Sequence, residues 1–374
     1  MRIGIDYRPA LVNREGIGRA TRELVRALAE PDQVDLELEL FGWTLSRSRF
    51  DAAELGLADA AHIHLHRRRF PAKLTGPWLR ARGGVPRVMG MPGGLFHHTQ
   101  PRRVPTGSAR TTTMIWDLLF LDDDGRPGGP WVERKTAEQM AASARRAADE
   151  STALFVPTDF VRQDVIAKLG VEPSRVHVVG LGCDHVATPE IEELPTRPPY
   201  VLTVCRVDPR KNHTIMLAAF ERLVRAGLPH HWLVVGPDGW RSAAFDAAVA
   251  ASPARHRIER IKDASEDALA AHFAAADVFL FASHAEGFGL PPLEAMAAGV
   301  PVIASAASCL PEVLGDAAVL VDAHDDEALF EALAHQITER DDRAERIARG
   351  RAHAARHSWS AAARKHVAAW RSLV

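Results

Sequence analysis

Apolar and polar positions along the chain alternate between two rhythms. Short runs rich in β-branched and aromatic residues are followed by longer runs in which apolar residues recur every three to four positions. The spacing predicts strands at Arg2–Asp6, Val34–Phe41, His62–His66, Thr111–Ile115, Ala153–Pro157 and Arg175–Gly180. It predicts helices over Gly18–Ala29, where Leu24, Val25 and Leu28 share a face, Trp131–Ala148 and Thr158–Leu169. Thr158 suits an N-cap, and Gly170 a left-handed stop. The rhythm breaks at Asp184–Pro199, which holds three Glu and four Pro and reads as an interdomain linker. It then restarts, with strands at Tyr200–Val204, Trp232–Val235, Arg257–Ile261, Val278–Phe281, Val300–Ala304 and Ala318–Val321. Helices over Thr214–Arg225, Ser265–Ala275 and Pro292–Ala298 lie between them. Strand and helix in strict alternation imply parallel sheets covered on both faces. The expected α/β fold is thus two doubly wound domains facing each other across a cleft, residues 1–186 and 187–357. Ligands of such sheets sit at the carboxyl ends of strands.

Composition changes this picture little. A chain of 374 residues with 47% hydrophobic and 25% charged residues has material for two cores and is not a disordered polyelectrolyte. Three cysteines, Cys183, Cys205 and Cys309, are too few and too scattered for a disulfide framework or zinc cluster, so a reducing compartment is expected. An acid at Asp6 precedes any apolar run, so no secretory leader is expected. The longest uncharged stretch, Ala295–Pro311, carries Gly299, two Pro and two Ser and is no membrane span.

Charge distribution changes it more. Between Ala60 and Trp116 there are ten basic residues and no acid, although the net charge of the chain is −2. Arg67, Arg68, Arg69, Lys73, Arg80, Arg82, Arg87, Arg102, Arg103 and Arg110 form a basic window with Phe70, Trp78, Leu79 and Phe96 among them. Such a window suits an anionic membrane surface or a phosphorylated acceptor. His62, His64 and His66 alternate on one strand and are expected to face solvent, with Ile63 and Leu65 inward. Asp122-Asp123-Asp124 before Gly125 reads as an exposed acidic turn.

The segment His284–Ile303 carries the most chemistry. Gly287 and Gly289 leave backbone N–H groups open, and Pro291 and Pro292 suit the first turn of a helix. A helix N-terminus built this way favours an anion. Glu286 and Glu294 bracket it with seven residues between them, and a carboxylate beside a phosphate site accepts hydrogen bonds from sugar hydroxyls. Upstream, Arg206 and Lys211 follow the strand Tyr200–Val204, and two loop cations there suit a diphosphate. As exposed charges they are expected to add little to stability.

These segments resemble glycosyltransferase family four, and the resemblance runs along nearly the whole chain. It is carried by Arg2-Ile-Gly-Ile-Asp6 and Glu15-Gly-Ile-Gly-Arg-Ala-Thr-Arg-Glu-Leu24, then by Leu154–Arg162 and Val176–Asp184. Val204–Asn212, Val234–Gly239, the Glu286 to Glu294 segment and Leu310–Gly315 complete it. What the resemblance implies is a GT-B fold and retaining transfer of a hexose from a nucleotide-diphosphate sugar to a glycan or lipid-linked acceptor. It implies no resident cofactor or metal. By the same resemblance Arg206 and Lys211 bind the donor diphosphate and Glu286 the transferred sugar. Gly287, Phe288, Gly289 and Leu290 lie at sugar and phosphate, Glu294 holds the ribose, and Gly16 and Gly18 line the cleft. The last helix, about 358–374, crosses back to the first domain.

The opening also resembles bacterial mannosyltransferases of surface polysaccharides, which favours GDP-mannose over UDP-glucose or UDP-N-acetylglucosamine. One position departs from the pattern. Trp116 stands before Asp117 where family members carry His, and His97 or His98 is expected to compensate toward the acceptor or sugar. The alternatives are a sugar-nucleotide-binding protein impaired by Trp116, and a nicotinamide-dependent oxidoreductase, disfavoured because Thr21 replaces the third fingerprint glycine. The expected location is cytoplasmic, peripheral on the inner face of the membrane through residues 60–116, with no nucleic-acid partner.

Overall fold

The computed structural model of the chain describes residues 1–13, 16–30, 35–45, 61–91, 94–128, 131–186 and 198–374. The start of the strand expected from Val34, Glu15 of the opening motif, Ala60 and most of the Asp184–Pro199 linker lie outside the described residues. The chain forms two compact units. Met1–Gly128, Arg134–Gly182 and Trp359–Val374 make the first, and Gly129–Glu133 with Cys183–Ser358 the second.

In the first unit the chain runs β1 (Arg2–Asp6), α1 (Arg8–Val12), α2 (Ile17–Leu28), β2 (Glu37–Trp43), β3 (Ile63–Arg68), α3 (Ala72–Ala81) and α4 (Val85–Val88). It continues with β4 (Leu95–His98), β5 (Thr111–Met114), α5 (Arg134–Glu150), β6 (Ala153–Val156), α6 (Asp159–Leu169) and β7 (Val176–Val178). The sheet order is β3-β2-β1-β4-β5-β6-β7, and every pair is parallel. Ile3 pairs with Leu38 on one side and Leu95 on the other. Ile3, Ile5, Leu38, Leu40, Leu154 and Phe155 are fully buried, as strands covered on both faces must be.

The second unit holds β8 (Tyr200–Val204), α7 (His213–Arg225), β9 (His231–Val235), α8 (Ser242–Ala251), β10 (Ile258–Ile261), α9 (Glu266–Ala274) and β11 (Val278–Phe281). α10 (Leu290–Ala298), β12 (Val302–Ser305), α11 (Leu310–Leu314), β13 (Val319–Val321), α12 (Asp326–Thr338) and α13 (Arg343–Ala354) complete it. Its parallel sheet has the order β10-β9-β8-β11-β12-β13. Val201, Phe220, Trp232, Val234, Leu280 and Ile303 form its core, and the Trp232 indole donates to Thr203 Oγ1 at 3.0 Å. The last helix, α14 (Trp359–Arg371), belongs to the first unit and packs on α2.

Both sheets wind outward from their first strand and then cross to the other side. The direction reverses between β1 and β4 in the first unit, and between β8 and β11 in the second. The loops leaving those strands are where a doubly wound sheet opens a crevice for ligands.

Several expectations are corrected locally. β4 and α3 carry no periodic signal, since β4 is four residues long with two histidines. The helix expected from Trp131 starts at Arg134, because Trp131 stacks on His284 in the second unit. The strand expected from Val300 starts at Val302, after Gly299 in the left-handed region and Pro301. Thr158 caps α6 through the Val161 N–H, and Gly170 ends it with φ 65°. His66 does not face solvent freely: its ring pairs with the Glu39 carboxylate, and His62 meets the Leu28 carbonyl at 3.3 Å. Asp122–Asp124 is a turn closed by the Gly125 N–H on the Asp122 carbonyl at 3.0 Å. Among the described residues no His, Cys, Asp and Glu group is arranged to hold a metal.

Candidate functional site

The β8 loop rises as Cys205–Asp208, turns through Pro209–Lys211 as a single helical turn, and enters α7 at Asn212. Asn212 takes φ 57° there, and its side-chain amide is tied to the Ala323 carbonyl at 2.7 Å. That anchored turn fixes where the next two cations point. Lys211 is 8% exposed, with Nζ 2.5 Å from Glu286 Oε1 and 5.1 Å from the centre of the Phe281 ring. Lys211 is therefore not the exposed loop charge expected. Arg206 is exposed, and its Nη1 reaches the Asp238 carbonyl at 3.4 Å.

Glu286 follows β11 and is 7% exposed. Arg210 Nη1 donates to its Oε2 at 2.8 Å, so two cations share one carboxylate. The Glu286 N–H donates to Ser308 Oγ at 2.8 Å. Burial pushes the Glu286 carboxyl up. The Arg210 and Lys211 charges and the Lys211 hydrogen bond pull it down further, to about 2. The group is a carboxylate acceptor throughout the neutral range. Cys205 beside it is pushed up to about 12 by burial and is a neutral thiol. Burial and the nearby Lys211 and Arg260 charges hold His213 down, to about 3, and it packs as a neutral ring against Cys205 Sγ.

Gly287, Phe288 and Gly289 are buried, and Gly289 caps α10 with φ 92°. That left-handed conformation is what demands glycine, since a Cβ at Gly289 would meet only the movable end of the Leu310 side chain, at 2.6 Å from Cδ2. Leu290 opens α10 with prolines in the first turn. One turn further in, Glu294 is 3% exposed, and its Oε1 lies 3.0 Å from His185 Nε2. The fold thus gathers Lys211, Glu286 and the Gly287–Leu290 turn at one switch point, with Arg206 on the same loop and Glu294 inside the adjoining helix. Sequence reasoning missed Arg210 and His185. Arg210 had a signal, adjacent to Lys211 in a proline-opened turn. His185 had none, because its partner is 109 residues away.

The first-unit candidates separate. Gly16 is exposed at the N-terminus of α2 with φ 50°. Gly18 is a packing glycine: a Cβ there would lie 2.2 Å from the Asn13 carbonyl oxygen. Trp116 Nε1 donates to the Thr99 carbonyl at 2.8 Å, and Thr99 Oγ1 donates to the Asp6 carbonyl, also at 2.8 Å. Trp116 therefore ties together the ends of β5, β4 and β1. Asp117 accepts the Leu119 N–H at 3.2 Å in a local turn. His97 is 1% exposed, bonded to Thr112 Oγ1 at 2.8 Å and packed on Phe155, His366 and Trp370. His98 is fully buried against Phe96. Burial holds both rings well below the usual histidine range. Of the basic window's apolar residues, Leu79 and Phe96 are wholly buried in the core and offer no surface contact. Phe70 and Trp78 pack on Trp43.

Residues 187–353 match the model of the family described as Glycosyl transferases group 1. Over the whole of both chains the protein is 26% identical to O-antigen chain mannosyltransferase B of Escherichia coli. Its fold is similar to that of sucrose-phosphate synthase from Thermosynechococcus elongatus, with TM-score 0.75 and 19% identity over 100% of this chain and 99% of that one. It is similar also to WaaG, a glycosyltransferase involved in lipopolysaccharide biosynthesis, with TM-score 0.72 and 17% identity over 98% of each.

Proposed function

We propose that the chain, whose fold is GT-B, is a glycosyltransferase of the family-four type that transfers mannose from GDP-mannose to a glycan or lipid-linked acceptor with retention at the anomeric carbon. The observation that carries this reading is the buried Glu286 carboxylate, clasped by two cations beside a glycine-capped helix N-terminus at the switch point of β8 and β11. A site of that kind offers what a nucleotide-diphosphate sugar presents: anionic phosphates for the cations and amides, and hydroxyls for the carboxylates.

In the proposed step the bond from the anomeric carbon to the diphosphate oxygen breaks. A bond to the acceptor oxygen forms on the same face, and the acceptor's proton passes to the departing phosphate oxygen. Arg206 and Lys211 neutralise the diphosphate as it leaves, Glu286 accepts from a sugar hydroxyl, and Glu294 accepts from the ribose. Positioning and preformed charge then lower the barrier without a strong side-chain base. The O-antigen relative supports mannose as the sugar and a surface polysaccharide as the product class. The acceptor of such a chain is presented at a membrane. A cytoplasmic, peripheral protein that presents the exposed cations of β3 and α3 fits that task; among the described residues no helix is long and apolar enough to cross a membrane.

The test is a donor panel of GDP-mannose, UDP-glucose, UDP-N-acetylglucosamine and NADH. GDP-mannose is expected to raise the melting temperature and to be hydrolysed slowly to GDP and α-mannose. A response to a UDP-sugar alone would reassign the donor. Stabilisation without hydrolysis would favour the impaired binder, and stabilisation by NADH alone would overturn the reading.

A further inference from the structure

Glu286 is held by two cations, and the proposed transfer gives one of them a second task. Lys211 Nζ reaches Oε1 at 2.5 Å, yet the reading above, on which this inference rests, sends that ammonium to the diphosphate. A carboxylate left buried without a partner is costly and takes up a proton instead. A protonated Glu286 would lose acceptor capacity toward a sugar hydroxyl, because one of its oxygens becomes an O–H donor. Something must hold the charge while Lys211 moves.

Arg210 is built to do so. Its Nη1 donates both to Glu286 Oε2 at 2.8 Å and to the Ala285 carbonyl at 2.7 Å. Its own carbonyl accepts the His284 N–H at 2.8 Å. Side chain and main chain together fasten the β8 loop to residues 284–286. A planar guanidinium can keep a carbonyl and a carboxylate at once and stays charged at every working pH. Among the described residues, the other titratable groups near Glu286 carry no positive charge that could replace it. The Cys309 thiol donates to the Glu286 carbonyl at 3.1 Å and is held neutral by burial. The Cys205 thiol is neutral too. The His284 ring, pushed below the usual histidine range by burial and by His324, packs among Trp131 and His324.

We propose that Arg210 is a positioning residue that keeps Glu286 ionised and aimed while Lys211 engages the departing diphosphate. Lys211→Met imitates the state in which the ammonium has turned away, and needs no substrate. With 13C-labelled glutamate, and Glu286→Gln to assign the signal, the Glu286 carboxyl of Lys211→Met is expected to titrate still in the acid range. In Lys211→Met with Arg210→Gln it is expected to move up by two units or more. The second arm keeps Lys211 and follows GDP-mannose hydrolysis against pH. Arg210→Gln should shift the acid limb of kcat upward by about one unit, Arg210→Lys should restore most of it, and GDP affinity should change less than threefold. An unmoved carboxyl in the double variant overturns the inference, as does an Arg210→Gln profile equal to wild type. A loss of GDP affinity matching the loss of rate overturns it as well, since Arg210 would then be a phosphate contact. Failure of every donor in the panel removes the functional reading instead, and the carboxyl titration still judges the hold on Glu286.

Discussion

At the scale of single residues, Lys211, Glu286 and Glu294 are buried and paired, which changes what their removal should do. Lys211 is nearly inaccessible and bonded to Glu286, so Lys211→Ala strips one partner from a buried pair, a change that costs several kcal/mol when no other partner remains. Arg210 stays, so the expected loss is smaller, about 1–2 kcal/mol, alongside a fall in turnover of roughly two orders of magnitude. Thermal melts and GDP-mannose turnover check both, and a variant that melts as wild type would place the charge elsewhere. The two glutamates should part company. Glu294→Ala is expected to weaken GDP binding at least tenfold, whereas Glu286→Ala spares GDP binding and damages transfer. Calorimetric titration with GDP separates them, and equal losses would mean the two roles are misassigned. The spacing Glu286 to Glu294 and the glycines between were legible because they lie within one short segment. The clasp was not, since Arg210 and Glu286 are 76 residues apart and only the parallel neighbours β8 and β11 bring them together.

At the scale of elements, strands with β-branched runs and helices with caps were readable, and elements made of exceptions were not. β4 interrupts its short run with His97 and His98, whose burial makes sense only once β1 and β5 flank them. α14 shows the reverse case, in which Trp359 and Trp370 announce a buried helix. Trp370 is fully buried, its indole donates to Thr112 Oγ1 at 3.3 Å, and its ring meets His97, His366 and Phe155. Trp370→Ala should cost about 3–5 kcal/mol, and a chain ending at Ser358 should lose more. A truncated chain with an unchanged melting temperature would refute this docking. The same helix makes stability depend on pH. Burial holds His366 down, to about 4, and holds His97 beside it well below the usual histidine range, so both are neutral when folded. Unfolded histidines take up protons near pH 6.5, so the unfolded chain binds more protons below that value. Stability is therefore complete above pH 6.5 and declines as pH falls toward 4. His366→Phe should flatten that decline by about one proton in the slope of unfolding free energy against pH.

At the scale of the whole molecule, the basic window is an asymmetry of surface, and the fold decides which of its parts can act. Arg103 is engaged with Glu150 and Thr111, and Arg110 with the Leu373 carbonyl, so these two cations serve the first unit's own structure. Arg67, Arg68, Arg69, Lys73, Arg80, Arg82 and Arg87 are exposed, on the edge strand β3, on α3 and α4 and on the turns beside them. With Leu79 and Phe96 in the core, the exposed apolar contribution reduces to Leu74, at 57% exposure, and the flanks of Phe70 and Trp78. Contact with a bilayer through this face must then be mainly electrostatic, at about 1 kcal/mol for each Lys or Arg that reaches an anionic surface. Screening at physiological ionic strength acts over about 8 Å, so such contact weakens steeply as salt rises. The protein should therefore sediment with vesicles rich in anionic lipid at low salt, release as salt is raised, and ignore neutral vesicles. Replacing Arg67, Arg68 and Arg69 together by Ser should remove most of that binding and leave slow GDP-mannose hydrolysis intact, because the three lie in the first unit and the residues proposed to hold the donor in the second. Leu74→Ser should matter less than the arginines, an order that an insertion-driven anchor would reverse. Wild-type protein that stays in the supernatant with anionic vesicles even at low salt would assign this face to a phosphorylated acceptor or to solvent.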